Sequence, residues 1–403
     1  MQPFQHHDLA RALLAALRDA AESLKAVDPF PSIDLAVVAF PSGAAPVWAN
    51  VLLSRTQRQG LVARIGADAG PVRNIRWLAD TTDAQRNSIA WLPGADWTSL
   101  PLRPLWGEGE HSLIAPYPAS LAKLMVLVAV AHLVDKGRAD WQEPWRHGGQ
   151  QHSLAGWAEP MVTVSSNEAT DALVALLHAR GLIGQDTQGE RNGLHTLFGQ
   201  WGLPTLRLAQ TTPAGGWRNG DGSGVGQLQM TAWDTVRLLW LLMPEGSLAN
   251  SQHPPWRPAP APPPLTAANR TLLWQWLAAQ GLHEMLSTGL LSGVPGWVPG
   301  IPARVPPVWL QADGSAEVEG RHYPPDLRPA QARADALFAH KTGSTLSYGS
   351  DAGRVLGDGG RHYLIALTSS LGQRLAPHPA CATHWAMAQI GAAIDGWLKL
   401  RLD

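Results

Sequence analysis

A serine and a lysine stand three residues apart at the start of the most apolar stretch of this sequence. They form the segment Ser120-Leu121-Ala122-Lys123, and the stretch that continues to Val134 is interrupted only by Lys123 and His132. On a helix, side chains at i and i+3 share a face, with Cβ atoms roughly 5–6 Å apart. A neutral lysine at that distance can accept the proton of a serine hydroxyl and make the serine a nucleophile.

The helix that carries this pair is predicted to be buried, because it is apolar on nearly every side. Burial disfavours the ammonium form and lowers the pKa of Lys123 toward neutrality. Pro118 suits the first turn of a helix, which places Ser120 at the helix N-terminus, where free N–H groups favour a developing oxyanion. A serine and lysine at this spacing are common by chance, so the prediction depends on further motifs.

A second segment with suitable chemistry is Ser165-Ser166-Asn167, which precedes the apolar helix pattern of residues 172–177. It offers a hydroxyl and an amide next to each other. Serine and asparagine are also good helix N-caps, so on its own the tripeptide is better explained as a helix start.

A third segment is Lys341-Thr342-Gly343, followed by Ser344. A glycine in a strand lets a substrate backbone lie close, and the lysine offers a cation to a substrate carboxylate. The sequence that follows predicts a β-hairpin, with strands at 350–355 and 362–368 joined by the turn Gly357-Asp358-Gly359-Gly360.

The ordered set S-x-x-K, S-x-N and K-T-G resembles the serine β-lactamase and penicillin-binding-protein superfamily, and is most similar to class A β-lactamases. The resemblance implies an α+β fold of the α/β-sandwich type: an antiparallel sheet flanked by helices, plus an all-helical subdomain. It implies that Ser120 is the nucleophile, Lys123 the base and Ser165 the group that protonates the leaving group. The implied substrate-binding residues are Asn167, Lys341, Thr342, Gly343 and Ser344, with the amides of Ser120 and Ser344 as an oxyanion hole.

One departure from the class A pattern concerns the glutamate that activates the deacylating water on the omega loop. The best counterpart of that loop is the segment from Gly202 to Pro213, where Thr212 occupies the glutamate's place and Ala209 that of a bracing aspartate. A threonine hydroxyl cannot act as a carboxylate base at neutral pH. We therefore expect weak or no β-lactam turnover by the class A route.

The segment 219–224 resembles a D-G-S-G element of D-alanyl-D-alanine carboxypeptidases. A calcium loop there is disfavoured, because Met230 stands where such a loop needs its glutamate. The sequence thus predicts a serine hydrolase that acts through an acyl-serine intermediate on an amide, peptide or ester. A carboxypeptidase or transpeptidase, or a non-catalytic binding protein on the same fold, remain alternatives; a glutaminase fits less well, because K-T-G does not mark those enzymes.

Composition favours a globular enzyme with a small-molecule or peptide substrate that bears a carboxylate. The 403 residues are 45% hydrophobic, with a net charge of −1 and a pI near 7.0. Without a basic cluster, nucleic acid is not the expected partner, and no run reaches the roughly 20 apolar residues of a membrane span. Histidine spacing predicts no metal site, no cofactor is expected, and the lone Cys381 is interpreted as a core thiol. The oligomeric state stays open.

Along the chain, residues 1–30 are predicted to form an N-terminal amphipathic helix and residues 31–403 the catalytic domain. Without a signal peptide's apolar core, the N-terminus predicts a cytoplasmic location, although the family is usually exported. Strands are expected at 33–40 and 47–53, with an elaborated segment at 55–110 that includes strand-like pieces at 61–65 and 75–78. A Pro-rich insertion at 250–335 is interpreted as a lid or rim, in which Trp297 and Trp309 are available to a ligand.

Overall fold

The computed structural model of the chain describes residues 4–79, 83, 89–91, 94–186, 189–216, 228–257, 262–324 and 326–402. Its α-helices are α1 (His6–Glu22), α2 (Lys123–Asp135), α3 (Leu154–Thr163), α4 (Asn167–Ala179), α5 (Gly193–Gln200), α6 (Ala232–Leu241), α7 (Ala267–Ala278), α8 (Arg328–Gln331) and α9 (Ala386–Leu402). Its strands are β1 (Ile33–Ala39), β2 (Val47–Ser54), β3 (Gln57–Val62), β4 (Ile75–Ala79), β5 (Arg103–Trp106), β6 (His111–Ile114), β7 (Pro144–His147), β8 (Gln150–Ser153), β9 (Ile183–Asp186), β10 (Gly189–Asn192), β11 (Arg207–Leu208), β12 (Leu228–Gln229), β13 (Ala316–Val318), β14 (Arg321–Tyr323), β15 (Ala336–Ser344), β16 (Gly349–Gly357) and β17 (His362–Ser369).

The central sheet has six strands in the order β15-β16-β17-β1-β2-β3, and every neighbouring pair is antiparallel. Side chains of β1 alternate between two cores: Ala36 and Val38 belong to one, and Leu35 and Val37 to the other. This alternation is the period of two that a strand imposes on its side chains. Because the sheet is buried on both faces, it needs a helical layer on each side, and the expected α+β class is confirmed.

One face of the sheet is covered by the first and last helices of the chain. Leu9, Leu13 and Leu17 of α1 share a core with Ile390 and Ile394 of α9 and with the sheet. Their spacing of four residues places them on one side of each helix. The N-terminal helix therefore packs on the central sheet. The domain boundary near residue 30 stays a prediction.

The other face is covered by a helical layer whose centre is α2. Every residue from 121 to 131 is buried, and the core around them includes residues of α3, α4, α6 and α7. An apolar helix without a polar face is stable only when neighbours surround it. This layer corresponds to the all-helical subdomain that the sequence predicted.

The Pro-rich insertion has a small core of its own, which includes Val318, Tyr323 and the buried thiol of Cys381. The indole N–H groups of Trp297 and Trp309 donate to the carbonyls of Thr288 and Ala279, at 3.0 and 2.9 Å. Both rings pack against this core. The two tryptophans that the sequence offered to a ligand therefore support the insertion itself.

The segment 55–110 divides between two sheets. Strand β3 lies four residues earlier than the predicted 61–65, because Leu61 and Val62 already pair with Leu52 and Val51 as the return arm of a hairpin. Strands β4, β5 and β6 form a separate three-stranded sheet. Among the described residues, no helix combines the length and the apolar character needed to cross a bilayer.

Candidate active site

Ser120 lies in a 3₁₀ turn, Ala119–Ala122, that leads directly into α2. The turn begins with the N–H of Leu121 donating to Pro118 O at 3.2 Å, and Ala119 has a left-handed φ of +51°. Ser120 is partly exposed, and within the described part of the chain its Oγ has no hydrogen-bond partner. Within that part of the chain, no internal hydrogen bond therefore competes with an incoming group for this hydroxyl.

Lys123, one turn further on, is only 1% exposed. Its Nζ donates to Asn167 Oδ1 at 2.8 Å, to Ser165 Oγ at 3.1 Å and to the Ser165 carbonyl. Burial lowers the pKa of Lys123 to about 7, against the opposing effects of the Glu319 and Asp171 carboxylates. A substantial fraction of this amine is thus unprotonated near neutral pH, as a general base requires.

Ser165 joins α3 to α4 with a left-handed φ of +64°. Its neighbour Ser166 is the N-cap of α4 and accepts from the N–H of Ala169 at 3.2 Å. The capping interpretation therefore applies to Ser166, which leaves Ser165 and Asn167 for Lys123. The Ser165 hydroxyl also accepts from Lys341 Nζ at 2.9 Å, so two amines meet at one oxygen.

Lys341 and Thr342 lie on β15, both buried. Lys341 Nζ also donates to the Thr342 carbonyl at 2.8 Å. Burial, with a smaller effect of the Lys123 charge, lowers the pKa of Lys341 well below its usual value. A bound anion would offset this loss of solvation, and the Asp351 carboxylate already opposes it in part.

Gly343 brings β15 against the nucleophile turn. A Cβ at this position would lie 2.5 Å from Pro118 O, 2.5 Å from Ser350 Oγ and 2.6 Å from Leu121 N. The Ser350 hydroxyl donates to Pro118 O at 2.6 Å and ties the same strands to the same turn. Only glycine permits this approach. Ser344 follows as an exposed residue whose hydroxyl donates to Ala382 O at 3.0 Å.

The hydroxyl and the main-chain N–H of Thr212 both form hydrogen bonds within their own turn. Its hydroxyl donates to Gly215 O at 2.6 Å, and its N–H donates to Gly216 O at 3.0 Å. A hydroxyl with its hydrogen used in this way does not replace a carboxylate base. The predicted D-G-S-G element at 219–224 lies outside the described residues.

Two carboxylates near Lys123 were not among the sequence-predicted site residues. Asp171 is on α4, four residues after Asn167, so both face the same side of the helix. Glu319 is at the turn between β13 and β14, exposed, with a left-handed φ of +51°. The i, i+4 spacing could have revealed Asp171, whereas Glu319 has no local signal beyond a Glu-Gly pair between two short strands.

The β13–β14 hairpin is fixed on the Ser165 side of the cleft. Arg321 donates to Glu284 Oε1 at 3.1 Å and to Ala380 O at 2.7 Å. Val318 packs on Gly281, whose N–H donates to Thr163 O at 2.8 Å, two residues before Ser165. The hairpin turn is therefore held beside the loop that contacts Lys123.

Left-handed backbone is concentrated around this cleft. Among the described non-glycine residues, those with positive φ are Ala69, Ala119, Ser165, Gln210 and Glu319. All but Ala69 adjoin the residues discussed here. Backbone strain of this kind costs about 1–3 kcal/mol per residue and commonly marks functional sites. Within the described ranges, no three histidine, cysteine, aspartate or glutamate side chains converge as metal ligands.

No protein-family model matches this chain, and no curated protein matches it in sequence. The chain is similar to a solved variant of PBP-A, an acyl-enzyme complex with penicillin G, at 15% identity over 97% of each chain, with a TM-score of 0.48. It is also similar to the β-lactamase of Sphaerobacter thermophilus, at 13% identity over 97% of this chain and 98% of that one, with a TM-score of 0.48. A variant of the class A β-lactamase of the last common ancestor of Gram-negative bacteria matches at 15% identity over 96% and 99%, with a TM-score of 0.48.

These are the two kinds of protein that the motifs resemble. At such identities and TM-scores, the similarity assigns neither an activity nor a substrate to this chain.

Proposed function

We propose that this chain is a serine hydrolase that acts on an amide, peptide or ester through an acyl-serine intermediate. The observation that carries the proposal is the environment of Lys123: a buried amine with a pKa of about 7, held by Asn167 and Ser165 one turn from the unpartnered hydroxyl of Ser120. A structural lysine would be paired with a carboxylate or exposed to solvent. This lysine is neither, and its arrangement suits proton transfer.

In the acylation step, Lys123 accepts the proton of Ser120 while Oγ attacks the substrate carbonyl. The N–H groups of Ser120 and Ser344 stabilise the oxyanion that forms. Ser165 then gives its proton to the leaving group and takes one from Lys123, through the 3.1 Å contact between them. The amine ends the step neutral, as it began.

Asn167, Thr342 and Gly343 bind the substrate chain, and Lys341 binds a substrate carboxylate. Because Thr212 supplies no carboxylate, we propose that penicillins acylate Ser120 but are turned over weakly or not at all by the class A route. A D-alanyl-D-alanine peptide would be accepted by the same groups, so the carboxypeptidase alternative is a choice of substrate rather than of mechanism.

Hydrolysis of a p-nitrophenyl ester by wild type and Ser120→Ala tests the proposal. We expect the substitution to reduce turnover by at least about 10³-fold, to the level of residual binding and oxyanion stabilisation. Ser153→Ala is the matched control, because Ser153 only caps α3 by accepting from Gly156 N at 3.0 Å. Equal turnover by wild type and Ser120→Ala would refute the hydrolase.

Labelled penicillin gives a second readout. Wild type is expected to carry one label per molecule that Ser120→Ala lacks. A label that persists in Ser120→Ala would place the nucleophile elsewhere.

A further inference from the structure

Asp171 lies against the Thr212 turn, whose residues 212–216 include no acid. It lies on the second turn of α4 and is partly buried. Asn167, one turn earlier on the same face, binds Lys123 through its Oδ1 at 2.8 Å. The helix that positions the lysine amine therefore also directs a carboxylate toward the same space.

The Thr212 turn rests directly on this aspartate. A Cβ at Gly215 would lie 2.5 Å from Asp171 O, and one at Gly216 would lie 3.1 Å from Asp171 Oδ1. Both glycines have positive φ, +96° and +67°. The turn thus approaches Asp171 with bare backbone, and Gly216 lies next to one oxygen of its carboxylate.

The charge environment of Asp171 connects it to the proposed base. Burial raises the pKa of Asp171, and Glu168 on its own helix adds to that effect, whereas His147 of β7 and Lys123 of α2 oppose it. In return, Asp171 raises the pKa of Lys123. Among the described residues, no hydrogen-bond donor meets the Asp171 side chain. A half-buried carboxylate without a donor, beside a proton-transfer lysine, is available for a water molecule.

We propose that Asp171 is a catalytic residue that activates the deacylating water. This inference rests on the proposed acyl-serine chemistry and supplies the carboxylate that the segment around Thr212 lacks.

The step balances as follows. Asp171 takes a proton from the water as the water oxygen bonds to the acyl carbon. The tetrahedral oxyanion then collapses, the bond from carbon to Ser120 Oγ breaks, and the proton returns from Asp171 through Lys123 to Oγ. One water and the acyl-enzyme give a free carboxylic acid and the regenerated serine, with both Asp171 and Lys123 in their starting forms.

Glu319 is the competing carboxylate, since it also raises the pKa of Lys123. It is exposed on a turn at the Ser165 side, where water exchanges with bulk solvent. Asp171 is partly buried and sits on a helix, which holds a side chain more precisely than a turn does. The geometry therefore favours Asp171.

Pre-steady-state kinetics with a p-nitrophenyl ester separates deacylation from acylation. In Asp171→Asn we expect a burst of one p-nitrophenol per enzyme, followed by a steady-state rate about 10²–10⁴-fold below wild type, the usual contribution of a general base. Intact-protein mass spectrometry should then show the acyl group retained on Ser120. Asp171→Glu should recover part of the steady-state rate, because it restores a carboxylate.

Glu168→Gln is the matched control on the same helix, and both kinetic phases are expected to remain within about twofold of wild type. The proposal is overturned if Asp171→Asn slows burst and steady state equally, or if it slows neither. A thermal unfolding curve on the same sample shows that the variant is folded. Failure of the underlying hydrolase is a different result, namely wild-type turnover that does not depend on Ser120.

Discussion

Two regions of the molecule bring a carboxylate toward the buried amine of Lys123, one on a helix and the other on a hairpin turn. Asp171 comes from α4 beneath the Thr212 turn and is partly buried, whereas Glu319 comes from the exposed turn of the β13–β14 hairpin. Both raise the pKa of Lys123. Asp171 is placed by helical backbone, and Glu319 by a strained left-handed one.

Two carboxylates of the same charge can therefore play different roles, depending on how far each is exposed to solvent. A partly buried carboxylate is shielded from bulk solvent and can hold an ordered water molecule. An exposed carboxylate is screened by salt and acts mainly on the field of the cleft. We therefore assign proton transfer to the α4 region and electrostatic adjustment to the hairpin region.

The largest expected effect comes from removing the amine on which both regions act. Lys123→Met keeps most of the buried volume but removes the base, so the burst rate with an ester should fall by about 10²–10⁴-fold. Lys136→Met, at the C-cap of the same helix, is the control and should leave the rate unchanged. Acylation at wild-type speed without the Lys123 amine would show that neither carboxylate works through it.

A smaller effect is expected on the pH dependence of the acylation rate, and it distinguishes Asp171 from Glu319. Acylation needs neutral Lys123, so its rate rises with pH through a pKa of about 7. Because each carboxylate raises that pKa, Glu319→Gln and Asp171→Asn should both move the rise to lower pH. Lys341 shares the Ser165 hydroxyl with Lys123, and the charge of Lys123 lowers the pKa of Lys341. We expect the larger shift for Glu319→Gln, as the stronger of the two influences.

Salt then distinguishes the regions. At 1 M ionic strength, where the Debye length is about 3 Å, the Glu319→Gln shift should shrink while that of Asp171→Asn persists. Glu317→Gln, an exposed change on the same hairpin, is the control for both measurements. Two shifts with the same salt dependence would remove the distinction between a buried and an exposed carboxylate.

The smallest expected effects concern stability. The folded-state pKa of Asp171 is raised above the usual 3.8, so its carboxylate destabilises the fold once the pH exceeds that value and the group ionises. Asp171→Asn should therefore melt at a higher temperature than wild type at pH 8, and the difference should vanish near pH 3. Equal melting temperatures at pH 8 would show that burial of the ionised Asp171 carboxylate does not destabilise the fold.

The hairpin should behave differently in the same assay. Glu319→Asn should stabilise by about 1 kcal/mol at both pH values, because asparagine tolerates left-handed backbone. Glu317→Asn, on an extended strand, should bring no such gain. A gain at both positions would mean that the backbone of Glu319 carries no strain.

Much of the fold followed from local pattern. The apolar run after Ser120 predicted a buried helix, and the residues after Lys341 predicted the β16–β17 hairpin almost to its ends. These features depend on periodicity and turn chemistry, which neighbouring residues determine. The order of the six strands depends on long-range pairing, such as β1 with β17, and no local signal encodes it.

The site was accessible from sequence only in part. Ser165 and Asn167 do meet Lys123, as the motifs imply. The depressed pKa of Lys341 was not predicted, because it depends on how deeply the sheet is covered. Glu319 was missed because its position results from contacts between segments far apart in the chain, including Val318 with Gly281.

The close approach of Gly343 to Pro118 O and Leu121 N leaves no room for a side chain at that point of β15. Selection for larger or smaller acyl donors therefore has to act on other segments, such as the β13–β14 hairpin and the Thr212 turn, whose side chains can be replaced. A mutational library aimed at residues 316–323 should therefore diversify specificity sooner than one aimed at residues 341–344.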